Sequence, residues 1–176
     1  KQFHQEISEM SQRPMPGSGE RGDGVWKTIG GKSLESLRDQ YREDLFDDYV
    51  AFFNKQGFDR ELGGFMCGID HDGTQVNTDK SIWYQGRGMW AHGFLYNEFG
   101  QEDQLDFLKK TRDFVVKHAR DDTGNWYMGT DKEGNPTKET DVVGYAGLFM
   151  AEGLMEVARA TNDQETLDLA VESFWK

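Results

Sequence analysis

Apolar residues recur every three or four positions in several long segments of the chain, the spacing that places them on one side of a helix. The first segment shows the pattern at Leu34, Leu37, Tyr41, Leu45, Tyr49 and Phe53. Ser33 precedes it as a candidate N-cap and Gly57 follows it, so we predict an amphipathic helix over residues 34–54. The same reasoning predicts helices over 80–98, 103–118, 141–161 and from 163 onward.

These helices are of two kinds. The helices at 34–54, 103–118 and from 163 onward carry many charged residues opposite the apolar side, which is typical of an outer, solvent-facing layer. The helices at 80–98 and 141–161 are richer in glycine, alanine and aromatic residues. That composition favours an inner layer in which helices approach closely.

Between the helices, the sequence repeats itself at an offset of 61 residues. The segment 61–73 corresponds to 122–134, and Phe65 corresponds to Trp126. An Asp and a Gly near the tip of each segment, between short apolar stretches, predict a β-hairpin. Four pairs in this alignment are identical: Gly63 and Gly124, Gly68 and Gly129, Asp70 and Asp131, Gly73 and Gly134.

The repeat continues into the helices that follow, where Tyr84 corresponds to Tyr145 and Gly86 to Gly147. Units of helix, short hairpin and glycine-bearing helix indicate a stack in which each unit buries a face on the next. Closed into a ring, they form an α/α toroid, and a ring of six such units needs about 370 residues. We therefore expect this 176-residue chain to be the front part of a longer protein, with two to three units.

The chain outside the toroid is expected to be an extended arm. Residues 1–31 are rich in Pro and Gly, lack apolar periodicity and offer only Val25 and Trp26 as anchors, whereas 32–176 form the toroid portion. The chain begins at Lys1 rather than Met, so we expect a segment to be missing upstream. Localisation stays undetermined, with the cytoplasm favoured and export permitted.

The helix at 80–98 carries the candidate chemistry. Gln85 and Arg87 lie among large apolar residues, and a buried guanidinium must either pair with a carboxylate or point into a cavity. Gly86, Gly88 and Gly93 each weaken the helix by about 1 kcal/mol relative to alanine. We expect a closely packed helix or a ligand to compensate for that cost.

Composition excludes several classes of binding partner. The formal net charge of −12 argues against nucleic acid and anionic membranes, and the apolar runs are too short to cross a bilayer. The single cysteine, Cys67, excludes an internal disulfide and a cysteine-rich metal site and is expected to be a small buried hydrophobe. No His or carboxylate set has metal-ligand spacing and no phosphate loop occurs, so we expect neither metal nor cofactor.

The segment Trp83-Tyr-Gln-Gly-Arg-Gly-Met-Trp90 resembles the Trp-x-Gln-Gly-Arg-x-x-Trp motif of the N-acylglucosamine 2-epimerase family. Further similarities lie in the Gly-Gly-Phe and Asp-His-Asp-Gly hairpin, in His118-Ala-Arg, and in the stretches that begin at Phe149 and Ala158. The resemblance covers residues from about 35 to the end. It implies an (α/α)6 barrel and the interconversion of a small-molecule sugar at C2, by 2-epimerisation or aldose–ketose isomerisation.

The resemblance also implies roles for individual residues. Arg87 matches the family's pocket arginine, and we expect it to stabilise an enediolate formed when a base removes the proton at C2. Trp83 and Gln85 belong to the same motif and are expected to bind the substrate. Tyr145, at the equivalent place in the second unit, and Trp126, on its hairpin, are further candidates.

The acid–base histidines of the family lie in the later half of the barrel, beyond residue 176. His71 is expected at a solvated hairpin tip, His92 on a different side of the helix from Arg87, and His118 at the end of an outer helix. We therefore expect none of the three to be the catalytic base. If the chain ends at Lys176, exposed apolar faces can lead to homodimers or other self-association.

Two other functions stay open. A glycoside hydrolase on the same fold would use two carboxylates, and five acids near one end of the ring are available: Glu61, Asp70, Asp72, Asp131 and Glu139. Their repeated pattern is better explained by the chemistry of hairpin turns. The other alternative is a carbohydrate-binding or assembly protein without catalysis. The identity of the sugar also stays open.

Overall fold

The computed structural model of the chain describes residues 21–22, 25–141 and 143–176. They belong to two compact units, one ending at Ala51 and one beginning at Phe52. Most of the predicted arm over 1–31 lies outside the described residues, so that prediction stays open there.

The first unit contains two short antiparallel strand pairs followed by helix. β1 (Arg21–Gly22) pairs with β2 (Val25–Trp26), and β3 (Thr28–Ile29) pairs with β4 (Lys32–Ser33). Val25 and Trp26, the predicted anchor, form the second of these strands, and their docking stays a prediction. The tight turn of the second pair is possible because two glycines, Gly30 and Gly31, have φ of 58° and 78°.

The predicted helix over 34–54 is present, with an irregular middle. It comprises α1 (Leu34–Glu43), a π-helical segment (Asp44–Val50) and α2 (Ala51–Gln56). Ser33 is the N-cap as predicted, because its hydroxyl accepts a hydrogen bond from the Ser36 amide at 3.1 Å. The period of the apolar residues did not indicate the π-helical segment.

After α2, the second unit continues with the first of the two predicted hairpins. β5 (Gly68–Ile69) pairs antiparallel with β6 (Gln75–Asn77). Between them, the Asp70 amide donates to the Thr74 carbonyl at 2.8 Å and the Gly73 amide donates to the Asp70 carbonyl at 2.9 Å. Gly73 has φ of 86°, a conformation that favours glycine, so the turn explains the residue.

The second hairpin reproduces this turn 61 residues later. The Asp131 amide donates to the Asn135 carbonyl at 2.9 Å and the Gly134 amide to the Asp131 carbonyl at 3.2 Å. The strand that precedes the turn is β8 (Gly129–Thr130). It pairs with β7 (Lys80–Ser81), which lies between the first hairpin and the helix that begins at Ile82. The sequence repeat is therefore also a structural repeat, and its two units are joined by a strand pair.

Four further helices complete the unit, and all four lie where the sequence predicts them. They are α3 (Ile82–Phe99), α4 (Gln104–His118), α5 (Tyr145–Thr161) and α6 (Gln164–Trp175). α3 packs most extensively on α5, and α5 packs on α6. α3 and α5 are thus the adjacent inner helices of the predicted stack. None of the helices in the described part of the chain is long and apolar enough to cross a membrane.

The start of α5 is the one boundary that differs clearly from prediction, at residue 145 rather than 141. Gly144 has φ of 90°, which interrupts the helical backbone in front of Tyr145. The Asp141 carboxylate accepts hydrogen bonds from the amides of Val143 and Ala146 and so satisfies donors at the start of the helix.

The core of this unit lies between α3, α4, α5 and the hairpins. Its buried apolar members are Phe58, Phe65, Ile82, Met89, Phe107, Leu108, Phe114, Val115, Ala119, Trp126, Ala146, Met150, Leu154, Val157 and Ala170.

The glycines of the inner helices are explained by this packing. A Cβ atom on Gly86 would overlap the backbone carbonyl of Phe149, and one on Gly153 would overlap the backbone carbonyl of Gly86. A Cβ atom on Gly93 would come within 2.7 Å of Glu156 Cβ. The predicted close approach of another helix is therefore confirmed, and the neighbour is α5.

Candidate functional site

The first half of α3 has one face in the core and one face open to solvent. Ile82 and Met89 are 1% and 0% exposed, whereas Trp83 and Trp90 are each 42% exposed. Arg87 lies on the exposed face, four residues after Trp83 and three before Trp90. A spacing of four and three residues keeps the three side chains on one side of the helix.

Arg87 forms no ion pair or hydrogen bond with any of the described residues. Its protein contact is aromatic, because its Cζ lies 5.2 Å from the centroid of the Phe149 ring on α5. Pairing with a core acid, one of the two arrangements predicted from the sequence, is therefore absent from the described part of the chain. The guanidinium keeps its charge and its donors for another group.

The Phe149 ring belongs to a cluster of three aromatic rings. The Trp83 ring lies 5.3 Å from the Phe149 ring and 6.5 Å from the Tyr145 ring, centroid to centroid. Tyr145 is 57% exposed. We call Trp83, Arg87, Tyr145 and Phe149 the Arg87 surface. It combines an unneutralised cation with apolar ring faces, a combination suited to an uncharged, oxygen-rich ligand.

Phe149 was not a predicted site residue, although its position could have been found. It lies four residues after Tyr145, the spacing that places two residues on the same side of a helix. Tyr145 was already a candidate through the repeat. The contact between Gly86 and the Phe149 backbone then brings this side of α5 next to Arg87.

Gln85 lies on the other side of α3 and is 1% exposed. Its Oε1 accepts from the Phe65 amide at 2.7 Å, and its Nε2 donates to the Phe65 carbonyl at 2.9 Å. The Gln85 side chain therefore pairs with the Phe65 backbone as a neighbouring strand would. These two hydrogen bonds hold the segment before the first hairpin against α3. Its predicted role in substrate binding stays a prediction, and its amide is already hydrogen-bonded within the protein.

Trp126 is also an interior residue, 3% exposed. Its Nε1 donates to the Ser173 hydroxyl at 3.1 Å, and Arg120 Cζ lies 5.0 Å from its ring centroid. The structure thus brings together Trp83, Arg87 and Tyr145 of the five predicted site residues, and places Gln85 and Trp126 in the core.

The three described histidines differ in environment. His71 is exposed, with its Nδ1 2.8 Å from Asp70 Oδ1. His92 is 1% exposed, and its Nδ1 lies 2.7 Å from Gln104 Oε1. Burial lowers the pKa of His92, against the hydrogen bond with Gln104. Burial also lowers the pKa of His118, which lies beside the Phe114 ring. None of the three belongs to the Arg87 surface.

The structure contains a buried ion pair that sequence analysis missed. Lys80 Nζ lies 2.9 Å from Asp59 Oδ2, and the two side chains are 0% and 3% exposed. Nζ also donates to the carbonyls of Gly63 at 2.7 Å and Lys132 at 2.9 Å. Lys80 therefore joins the loops that precede the first hairpin and follow β8, directly before α3.

Both members of this pair have shifted pKa values. Burial lowers the pKa of Lys80, and the hydrogen bond to Asp59 opposes this shift. Burial raises the pKa of Asp59, but hydrogen bonds from the Leu62 amide and from Lys80 outweigh it and leave the pKa below its usual value. The three acceptors around Nζ match the three donors of an ammonium group, so the pair is charged.

Carboxylates near the hairpins are used in turns. Asp72 accepts from the Thr74 amide at 2.8 Å, and Asp131 accepts from the Asn135 amide at 2.8 Å. The hydrogen bond from the Asn135 side chain is the main reason that the pKa of Asp131 is lowered. Turn chemistry thus accounts for Asp72 and Asp131, as expected. Over the described ranges, no three His, Cys, Asp or Glu side chains are grouped to hold a metal ion.

A cleft of about 530 Å³ lies further along the inner helices. It is lined mainly by apolar residues of α3, α5 and α6, including Trp90, Leu148, Met155, Phe174 and Trp175. All five of these side chains are more than 40% exposed. It lacks the free cation of the Arg87 surface, which remains the candidate site.

Most of the second unit matches the model of a known protein family. Residues 63–175 match the family model described as N-acylglucosamine 2-epimerase (GlcNAc 2-epimerase). A cellobiose 2-epimerase of Ruminococcus albus is 30% identical over 137 residues, which cover 77% of this chain and 35% of that protein. An N-acylglucosamine 2-epimerase of Bos taurus is 25% identical over 146 residues, 80% of this chain and 34% of that protein.

The fold is found in solved structures as well. Cellobiose 2-epimerase from Bacillus thermoamylovorans B4167 superposes with a TM-score of 0.72 at 25% identity, over 80% of this chain and 36% of that one. The predicted fold class, an (α/α)6 toroid of helical pairs with short hairpins, is confirmed. The chain spans about a third of the length of the curated relatives it matches.

Proposed function

Because this chain belongs to the N-acylglucosamine 2-epimerase family, we propose that the protein interconverts sugars at C2, as a 2-epimerase or an aldose–ketose isomerase. The observation that carries the proposal is the Arg87 surface, in which the arginine of the family motif is exposed and has no acidic partner among the described residues. Its guanidinium lies over the Phe149 ring, which is clustered with the rings of Trp83 and Tyr145. The relatives named above act on cellobiose and on N-acylglucosamine, and a sugar with a free reducing end is therefore the proposed substrate.

The proposed reaction begins with the open-chain sugar. Its carbonyl acidifies the neighbouring C–H bond, a base removes the proton, and the electron pair forms an enediolate. A proton returned to the other face of C2 gives the epimer, and a proton returned to C1 gives the ketose. Negative charge develops on the carbonyl oxygen in either case.

Arg87 is proposed to stabilise this oxygen. A fixed cation with in-plane donors is worth most where charge develops in the transition state, because it needs no reorganisation at that moment. Trp83 and Tyr145 are proposed to bind the sugar through their ring faces. Gln85 and Trp126 are proposed to support the site from behind, since their polar atoms are bonded to Phe65 and Ser173.

The proton-transfer groups are proposed to lie outside the residues described here. Imidazole is suited to the role because it titrates near neutral pH. His92 is 1% exposed and is bonded to Gln104, and His71 and His118 lie outside the Arg87 surface. We therefore assign none of the three to proton transfer.

The test is solvent-deuterium incorporation at C2, followed by NMR, with N-acetylmannosamine, mannose, fructose and cellobiose as substrates of the full-length gene product. Exchange at C2 together with the epimer or ketose is the expected result. Hydrolysis of a glycoside without exchange would identify a hydrolase instead. Saturable sugar binding without exchange or hydrolysis would identify a carbohydrate-binding protein.

A further inference from the structure

Phe149 has a defined place between two members of the Arg87 surface. Its ring centroid lies 5.3 Å from the ring centroid of Trp83 and 5.2 Å from Arg87 Cζ. The Phe149 backbone is fixed as well, because its carbonyl lies directly against Gly86, one residue before Arg87. Phe149 therefore lies at a place where the backbones of the two inner helices approach closely.

The way in which Arg87 is held matters for what it can do. A carboxylate partner would hold a guanidinium by its N–H edge, taking up donors and neutralising the charge. An aromatic ring attracts the cation through the negative face of its π-system. The N–H donors of the guanidinium lie in its plane and stay available for another group. Among the described residues, the Phe149 ring is the group that holds Arg87 in this second way.

We propose that Phe149 is a positioning residue for the reaction: its ring orients the Arg87 guanidinium toward the sugar oxygen without consuming charge or donors. The inference rests on the proposed function, since it names a further residue of the same site. It does not require Phe149 to touch the substrate.

The proposal predicts which side chains can replace Phe149. Tyr keeps a π-face at the same place, so Phe149→Tyr should retain positioning. Leu is apolar and not β-branched but has no π-face, so Phe149→Leu should lose positioning. Tyr84→Leu is the matched control, because Tyr84 lies on α3, the helix that carries Arg87, and is an aromatic residue, 57% exposed, with no ring contact to Arg87.

The first measurement is the kcat and KM of C2 exchange in the full-length gene product. Loss of a cation–π contact should lower kcat in Phe149→Leu by about 2- to 30-fold. KM should change less, because Arg87 acts on the charge of the transition state rather than on the uncharged sugar. Phe149→Tyr and Tyr84→Leu should stay close to the parent protein.

The second measurement separates positioning from general damage to the fold. Phe149→Leu should have little further effect when Arg87 is already Ala, since the two residues act as one unit. An equal loss in both backgrounds, or a loss of the same size in Tyr84→Leu, would overturn the proposal. A KM effect without a kcat effect would also overturn it.

The third measurement does not depend on activity. The Phe149 ring current should shift the NMR signals of the Arg87 side chain, and the shift should vanish in Phe149→Leu and persist in Phe149→Tyr. If the protein exchanges no sugar but the shift behaves in this way, the contact stands and the proposed function fails. If the protein exchanges sugar but Phe149→Leu leaves both the signals and kcat unchanged, the inference fails alone.

Discussion

Lys80 and Asp59 form an ion pair of 2.9 Å in the interior, with side chains 0% and 3% exposed. Lys80 Nζ also lies 3.9 Å from the centroid of the Phe114 ring. One ammonium group thus contacts a carboxylate, two backbone carbonyls and a ring. The residues that follow Lys80 begin α3, so this buried group fixes the approach to the helix that carries Arg87.

Removing one partner of this pair should be costly. Lys80→Met leaves a buried carboxylate without its counter-ion, and we expect a loss of about 3–5 kcal/mol in the free energy of unfolding. Lys132→Met is the control, because the Lys132–Glu61 pair is exposed to solvent, which screens it, and should contribute little to stability. Urea unfolding of both variants makes the comparison. Similar losses in the two would show that the buried pair has no special role.

We expect Gln85 to contribute to the stability of the fold rather than to sugar binding. Gln85→Leu would leave the buried amide and carbonyl of Phe65 without the hydrogen bonds they form with Gln85 at 2.7 and 2.9 Å. We expect a loss of about 1–3 kcal/mol for such a group, measured by thermal or urea unfolding. A stable Gln85→Leu variant with a raised KM for sugar would instead make Gln85 a substrate ligand.

Gly86 should not tolerate a methyl group. Gly86→Ala gains up to about 1 kcal/mol of helix propensity. Overlap with the Phe149 carbonyl forces α3 and α5 apart, at a cost of about 1–3 kcal/mol. The net result should be a lower melting temperature, whereas Glu152→Ala on the exposed side of α5 should change it little. A stabilised Gly86→Ala variant would show that the helices can separate freely at this point.

His92 should make the unit less stable in mild acid. Burial lowers its pKa in the folded state, so the unfolded chain binds a proton more readily than the folded chain. The contribution of neutral His92 to stability is then fully present above the pKa that His92 has in the unfolded chain, about 6.5, and is lost as the pH falls below that value. His92→Gln, which cannot titrate there, should show a smaller difference in urea midpoint between about pH 7.5 and about pH 5.5. An unchanged pH dependence would place the effect on other groups.

Arg87 should control the rate of C2 exchange. Removing one group that stabilises an oxyanion costs about 100- to 1000-fold in kcat, and we expect a loss of this order for Arg87→Ala. Arg87→Lys keeps the charge without the planar donors and should lie in between. Arg159→Ala is the matched control, since Arg159 is an exposed arginine of α5 that pairs with Glu98. Equal rates for Arg87→Ala and Arg159→Ala would remove Arg87 from the mechanism.

Part of the site could have been placed more accurately from the sequence. Gln85 and Arg87 are two residues apart, which separates them by about 200° around a helix. They cannot both face the same side, and the core residues Ile82 and Met89 identify the buried one. Gln85 and Arg87 therefore belong to one sequence motif but have different environments, since Gln85 is buried and Arg87 is exposed.

The sequence by itself determined the helices, because they depend on local periodicity. It also determined the repeated hairpins, whose turns need glycine at positions such as Gly73. The close approach of the inner helices follows from the absence of a side chain at Gly86. The tertiary structure decided that Lys80 pairs with Asp59 and that Phe149 reaches Arg87. Those contacts join residues that are 21 and 62 positions apart. Local patterns do not encode the relative placement of such distant segments, which is fixed only when the core packs.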